Sequence, residues 1–229
     1  MRKLLIAAVV LVLLGAVADF AAARVFEDRV TDALQREYDL GRRPVVQVRD
    51  FPFLPHLATG RFSTIDVAAT DATAKGINAA QLQLTLHGVR VPRDVMLGEP
   101  GRVTVDRADG TIELTQAEVN RLLADRLQGG SLAIGEDGVE VRVELPLVGQ
   151  ALLKGRLGAR DGGVTFTPDE IRLGDRGPLD PATEDLLSDR FTFRVPLPEL
   201  PAGVRLERVD TRPGTLVLHG RAAAVGVAA

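Results

Sequence analysis

Between residues 20 and 38 apolar side chains recur every four positions, at Phe26, Val30, Leu34 and Tyr38, with Arg24, Glu27, Asp28, Arg29, Asp32, Arg36 and Glu37 mostly elsewhere. That period predicts an amphipathic helix that ends near Gly41, ahead of Pro44. The period then changes to two. VVQVRD (45–50), FSTIDVAAT (62–70) and LQLTLHGVRV (82–91) each read as strands, with Ile65, Val67 and Ala69 on one face of the second. In the third, Leu82, Leu84 and Leu86 share a face and Val89 and Val91 take the other, so a bulge or bend is expected at Gly88.

RVTVDRADGTIEL reads as a hairpin turning near Asp109-Gly110, and it leads into TQAEVNRLLADRLQGG. There Thr115 and Glu118 have capping-box spacing, and Gly129-Gly130 closes a helix carrying Val119, Leu122, Leu123 and Leu127. Further hairpins are predicted through Asp137-Gly138, where Val139, Val141, Val143 and Leu145 alternate, and through Asp161-Gly162-Gly163. A short helix is expected from Asp180-Pro181, then a proline-rich crossing and two closing strands. The fold class is α+β, with a long N-terminal amphipathic helix wrapped by a strongly curved, mostly antiparallel β-sheet.

The first residues alter the picture. Arg2 and Lys3 precede fifteen uncharged, mostly aliphatic residues from Leu4 to Ala18. At about 1.5 Å per residue these cover roughly 22 Å, short of a hydrocarbon core of about 30 Å. Residues 1–18 therefore read as a signal peptide, with Ala16-Val17-Ala18 as an A-x-A site before Asp19, or as a signal anchor continuing over residues 4–23. With Arg2 and Lys3 held inside, both alternatives export residues 19–229, read as one domain on the outer, periplasmic side of the cytoplasmic membrane. The absence of cysteine fits a core that needs no disulfide, and it excludes a lipobox and any thiolate metal site.

Without Arg2 and Lys3 the chain carries 26 basic and 31 acidic residues, a net charge of about −5. No basic stripe is available to neutralise phosphates, so no nucleic acid is expected as partner. Three lysines against twenty-five arginines is the bias of a GC-rich genome, as in actinobacteria. Any membrane contact must be local and apolar.

Catalytic chemistry finds little footing. His56, His87 and His219 stand alone in sequence, the serines are Ser63, Ser131 and Ser188, and G-x-S-x-G, Walker A and G-x-G-x-x-G patterns are absent. Glu136-Asp137, Asp169-Glu170 and Glu184-Asp185 read as solvated charge on turns and helix faces, and Asp161-Gly162-Gly163 lacks the oxygen ligands of a calcium loop. No catalytic residue, cofactor or metal is expected.

RDFPFLPHLATGRF, residues 49–62, stands out with three phenylalanines, two prolines and a histidine. Phe51, Phe53, Leu54 and Leu57 either form the mouth of a lipid cavity or dip into a bilayer, flanked by Arg49 and Arg61 as phosphate partners, or they cap the core of the sheet. Leu82, Leu84, Leu86, Val141 and Val143 are candidates to line an aliphatic cavity. With about 0.8 kcal/mol per buried methylene, a chain of some sixteen carbons represents roughly 10 kcal/mol before ordering costs. The alternative is that these faces simply pack on the helices.

FPFLPHLATGRFSTIDVAA, the later LHGVRVP, the capped TQAEVNRLL helix and LPLPELPAGVRLERVDTRPGTLVLHG together resemble the actinobacterial LmeA-like phospholipid-binding family. The resemblance covers nearly all of the chain beyond the signal segment. Its most specific parts are Pro52, Phe53 and Leu54, then Gly60 and Phe62, and the turn from Leu200 to Gly203. It implies an exported envelope protein that binds phospholipid, a fold similar to tubular lipid-binding domains, an association with envelope and lipid-linked glycan assembly, and no catalytic residues to carry over. Phospholipid and the membrane surface are the expected partners; protein partners and headgroup stay open. The alternatives are a non-enzymatic scaffold for an envelope biosynthetic enzyme or, with least support, an enzyme acting on lipid-linked sugar.

Overall fold

The computed structural model describes residues 2–37, 42–74, 76–96, 99–127, 129–145, 149–160, 163–173, 192–196 and 203–228, with side chains from residue 11 onward except at 37, 74, 126, 145, 193–196, 227 and 228. It is α+β, an N-terminal helix followed by mostly antiparallel sheet. Helix α1 runs from Arg2 to Glu37, β1 from Val45 to Val48, α2 from Phe53 to Thr59, β2 from Arg61 to Ala74 and β3 from Ile77 to Arg90. Then come α3 (Arg93–Met96), β4 (Arg102–Thr115), α4 (Gln116–Leu127), β5 (Ser131–Ile134), β6 (Val139–Leu145), β7 (Gly149–Arg160) and β8 (Gly163–Leu173). Strands β9 (Phe193–Pro196), β10 (Val204–Arg212) and β11 (Thr215–Ala228) close the chain. One sheet has the order β1-β2-β3-β4-β11-β10, the other β5-β6-β7-β8-β9.

Three expectations are refined. Signal segment and amphipathic helix form a single uninterrupted α1, because nothing between Leu4 and Glu37 breaks a helix: there is no proline and only one glycine, Gly15. The expected hairpin at Asp109-Gly110 is instead the middle of one strand, β4. Gly110 does not take a left-handed conformation, and the Asp109 carboxylate is held by Arg107 at 3.0 Å and His87 at 3.4 Å rather than closing a turn on its own backbone. The capping box of α4 is half formed: the Glu118 N–H donates to Thr115 Oγ1 at 3.2 Å, but the Glu118 carboxylate is engaged elsewhere. The expected bend at Gly88 coincides with a left-handed residue, φ +63, inside β3. The helix expected from Asp180 and most of the turn at Leu200 to Gly203 lie outside the described residues.

The chain divides into two compact units. The first comprises Met1–Thr70, Gln83–Asp109 and Ala222–Ala229. Its core is Val46, Phe53, Phe62, Ile65, Val89 and Val105, against which Ala22, Ala23, Phe26, Val30 and Leu34 pack from α1. Phe26, Val30 and Leu34 belong to the predicted stripe; its fourth member, Tyr38, and the helix end expected near Gly41 lie outside the described residues. Strand β1 pairs antiparallel with β2, Val46 opposite Val67, and the Val48 N–H donates to Glu27 Oε1 of α1 at 2.9 Å.

The second unit comprises Asp71–Leu82 and Gly110–Arg221. Its core gathers Val119, Leu123 and Leu127 of α4 with Leu132, Val141, Leu153, Phe166 and Ile171 of the five-stranded sheet. The predicted turn holds at Gly138, in the hairpin that sets Ile134 opposite Val139; β7 and β8 pair with Arg160 opposite Gly163, while Asp161 and Gly162 of the turn expected there lie outside the described residues. Helix α4 ends at a left-handed Gly129, and the Gly130 N–H returns to the Leu127 carbonyl at 2.8 Å. It also closes an edge of the sheet. Asn120 exchanges two 2.7 Å bonds with the backbone of Leu132, and Gln116 Oε1 accepts the Ile134 N–H at 2.8 Å.

Candidate functional site

Residues 49–62 fold as a cis Phe51-Pro52 bond followed by α2. Seven residues are too few for a self-sufficient helix, and Pro52 at the N-cap offers no side-chain acceptor. The missing acceptor comes from α1. Asp19 Oδ2 accepts the Phe53 N–H and Oδ1 the Leu54 N–H, both at 2.7 Å. Asp19 is buried, and both of its oxygens are used in the way an N-cap side chain is used, from a distant point in sequence.

The C-terminal end of α2 is closed by Gly60 at φ +66, whose N–H turns back on the His56 and Leu57 carbonyls. The Gly60 carbonyl accepts the Val91 N–H at 2.8 Å, and a Cβ there would collide with the Val91 carbonyl oxygen. Glycine is therefore required on two counts, conformation and close approach.

The phenylalanines of this segment part company. Phe53 and Phe62, 1% and 2% exposed, join Phe26 in a cluster with ring centroids 5.2 to 5.9 Å apart. Phe51 is 76% exposed and Leu54 is 41% exposed. Leu57 is half-buried against the core. Thus one turn of chain holds both behaviours weighed from the sequence: Phe53 fills the interior, while Phe51 and Leu54 stay on the surface.

The flanking arginines also differ. Arg49 is paired with Asp66, whose other oxygen accepts the Thr85 hydroxyl at 2.8 Å. No carboxylate pairs with Arg61 among the described residues; its carbonyl oxygen lies 2.9 Å from His56 Nδ1. Of the cavity candidates, Leu84 and Leu86 are half-buried in the first unit. Leu82 is half-buried in the second, where Val141 and Val143 join the core.

Each histidine faces an aspartate that spacing in sequence does not reveal: His56 with Asp50 at 3.9 Å, His87 with Asp109 at 3.4 Å and His219 with Asp210 at 2.9 Å. Asp169 and Glu170 pair with Arg156 and Lys154 on the neighbouring strand. No group of three or more metal-ligating side chains occurs among the described residues.

Asp19 is the residue that the sequence leaves unassigned. Its signal is nonetheless present: Ala22, Ala23 and Phe26 follow at three, four and seven residues, so Asp19 lies on the core stripe of α1.

A family model described as LmeA-like phospholipid-binding matches residues 17–221. The chain belongs to that family. The LmeA-like match takes in Asp19, all of α2 and the strands that follow as far as residue 221, within β11. No curated protein and no solved structure matches the chain.

Proposed function

We propose that this is an exported protein of the cell envelope that binds phospholipid through its acyl chains, with residues 19–229 as the lipid-binding domain. The observation that carries this is membership of a family described as phospholipid-binding. Binding rather than catalysis is the activity, in lipid sequestration, transfer or support of envelope glycolipid assembly. Acyl chains would rest on aliphatic surfaces, for which Leu82, Leu84, Leu86, Val141 and Val143 are the candidates, and a sheet curving about α1 belongs to the same proposal.

Phe51 and Leu54 are the membrane contacts. They are large apolar side chains held out from a short helix whose buried member, Phe53, is locked in the core. Arg61, which no carboxylate pairs among the described residues, is the phosphate-binding candidate; Arg49 would have to exchange Asp66 for a phosphate. Phe53, Leu57 and Phe62 support this tip from beneath.

Native mass spectrometry of the full chain released from detergent micelles tests binding. A retained phospholipid mass is expected. Absence of any lipid adduct, together with no uptake of fluorescent phospholipid, would overturn lipid binding.

A further inference from the structure

We propose that the mature chain keeps α1 whole as a membrane tether, and that Asp19 fixes the depth at which the first turn of α2 meets the outer leaflet of that bilayer. This rests on Phe51 and Leu54 being membrane contacts, and it adds what holds them there.

Helix α1 is uninterrupted from Arg2 to Glu37, so the apolar run after Arg2 and Lys3 leads without a joint into the stripe that packs on the first core. Leu11, Val12, Leu13, Leu14, Val17 and Phe20 are all exposed. Among the described side chains no helix is long and apolar enough to cross a membrane; residues 4–10, the start of the run, lie outside that set.

Asp19 is the charge that would end the run, but it does not face outward. Its carboxylate is turned to the protein and accepts two N–H bonds from α2. The outward side carries Val17, Phe20 and Arg24 at a spacing of three and four, with the Arg24 guanidinium 5.2 Å from the centre of the Phe20 ring. An aromatic ring followed one turn later by a cation matches the boundary between acyl chains and phosphates. The occupant of this surface is therefore a phospholipid bilayer.

The lengths agree. From Leu4 to Asp19 the helix rises about 22 Å. Against a hydrocarbon core of about 30 Å, this leaves the first turn of α2 about 8 Å below the outer boundary. Side chains of an interfacial helix enter by about 5–10 Å. Phe51 and Leu54 thus stand at the depth where their burial stabilises the contact, because Asp19 ties α2 to that height on α1.

The chain contains no tryptophan, so Phe51→Trp in the full-length protein introduces a sole indole, excited selectively over Tyr38. In vesicles of phosphatidylglycerol and phosphatidylethanolamine, emission of the introduced indole should shift to the blue and be quenched more by bromine near the headgroup end of the acyl chains than near the methyl end. Intact mass of the membrane-bound protein should include residues 1–18. Adding D19A, or D19N where D19A does not fold, should abolish the difference between shallow and deep quenchers while the protein still pellets with membrane. A mature chain beginning at Asp19, water-like emission from the indole, or an unchanged quenching profile in D19A and D19N would overturn the proposal. Phospholipid retained by the same sample with the indole in water overturns the membrane contact and its depth, and leaves lipid binding standing. Indole emission from within the bilayer with no retained phospholipid overturns lipid binding alone.

Discussion

The carboxylate of Glu118 accepts the main-chain N–H of Asn78 at 2.8 Å, forty residues away in sequence. The Asn78 side-chain amide adds a bond at 3.2 Å, and Arg121 adds two more, at 2.8 and 2.5 Å. The same guanidinium reaches the Gly76 carbonyl at 2.5 Å. Glu118 thus ties α4 to the start of β3, within the second unit.

Arg121 first, then the Asn78 donors, hold the Glu118 carboxyl at about 2, against an ordinary 4.5, with burial opposing them. The folded pKa lies below the unfolded one. The stabilisation is therefore complete above about pH 4.5 and is lost as the pH falls toward about 2. Arg121 is half exposed, so screening by water limits the gain. Glu118→Gln should cost about 1–3 kcal/mol at neutral pH and flatten the loss of stability below pH 4.5. Thermal or urea unfolding across pH checks both; an unchanged acid slope would contradict the assignment.

Phe53 and Phe51 should separate stability from membrane contact. Truncating a buried phenylalanine costs about 3–5 kcal/mol, so Phe53→Ala should lower the thermal midpoint strongly. Phe51→Ser should stay within about 0.5 kcal/mol of the parent in unfolding. It removes about 1.5 kcal/mol or more of burial on insertion, so it should weaken vesicle binding roughly tenfold. Sedimentation with vesicles and a melting curve on the same two proteins decide this.

Asp19→Ala removes the acceptor for two N–H groups at the start of α2. A lost N-cap typically costs about 1–2 kcal/mol. Hydrogen exchange should speed up at Phe53 and Leu54 while the amides of β6 and β7 keep their protection. Uniform deprotection of both units would contradict a local role.

Gly60→Ala forces a side chain into a left-handed conformation and toward the Val91 carbonyl. The conformation alone costs about 1–2 kcal/mol, and the close contact adds to it. A melting midpoint equal to that of the parent would show that the turn relaxes freely.

The period of four in α1, the period of two in β3 and β6, and the glycines behind α4 and β5 were all legible, because local chemistry and final structure agree there. The stretch from Asp109 was not. Its Asp-Gly pair has the composition of a turn, yet His87 on the neighbouring strand and Arg107 claim the carboxylate, a contact that no local rule contains. The site divides in the same manner. Density of phenylalanine and proline singled out residues 49–62, but period could not say which ring turns inward, since the cap of α2 comes from Asp19, thirty-four residues before Phe53. The partner of Arg49, Asp66, is likewise a cross-strand fact.

Asn120 and Gln116 have a consequence for solubility. Strand β5 is the last strand at one side of its sheet, and the outward N–H groups of Leu132 and Ile134 are already taken by these two side chains. A second molecule therefore finds no free backbone there to extend the sheet. The device is an amide ladder borrowed from a helix, used in place of the proline or lysine that commonly guards such an edge against aggregation.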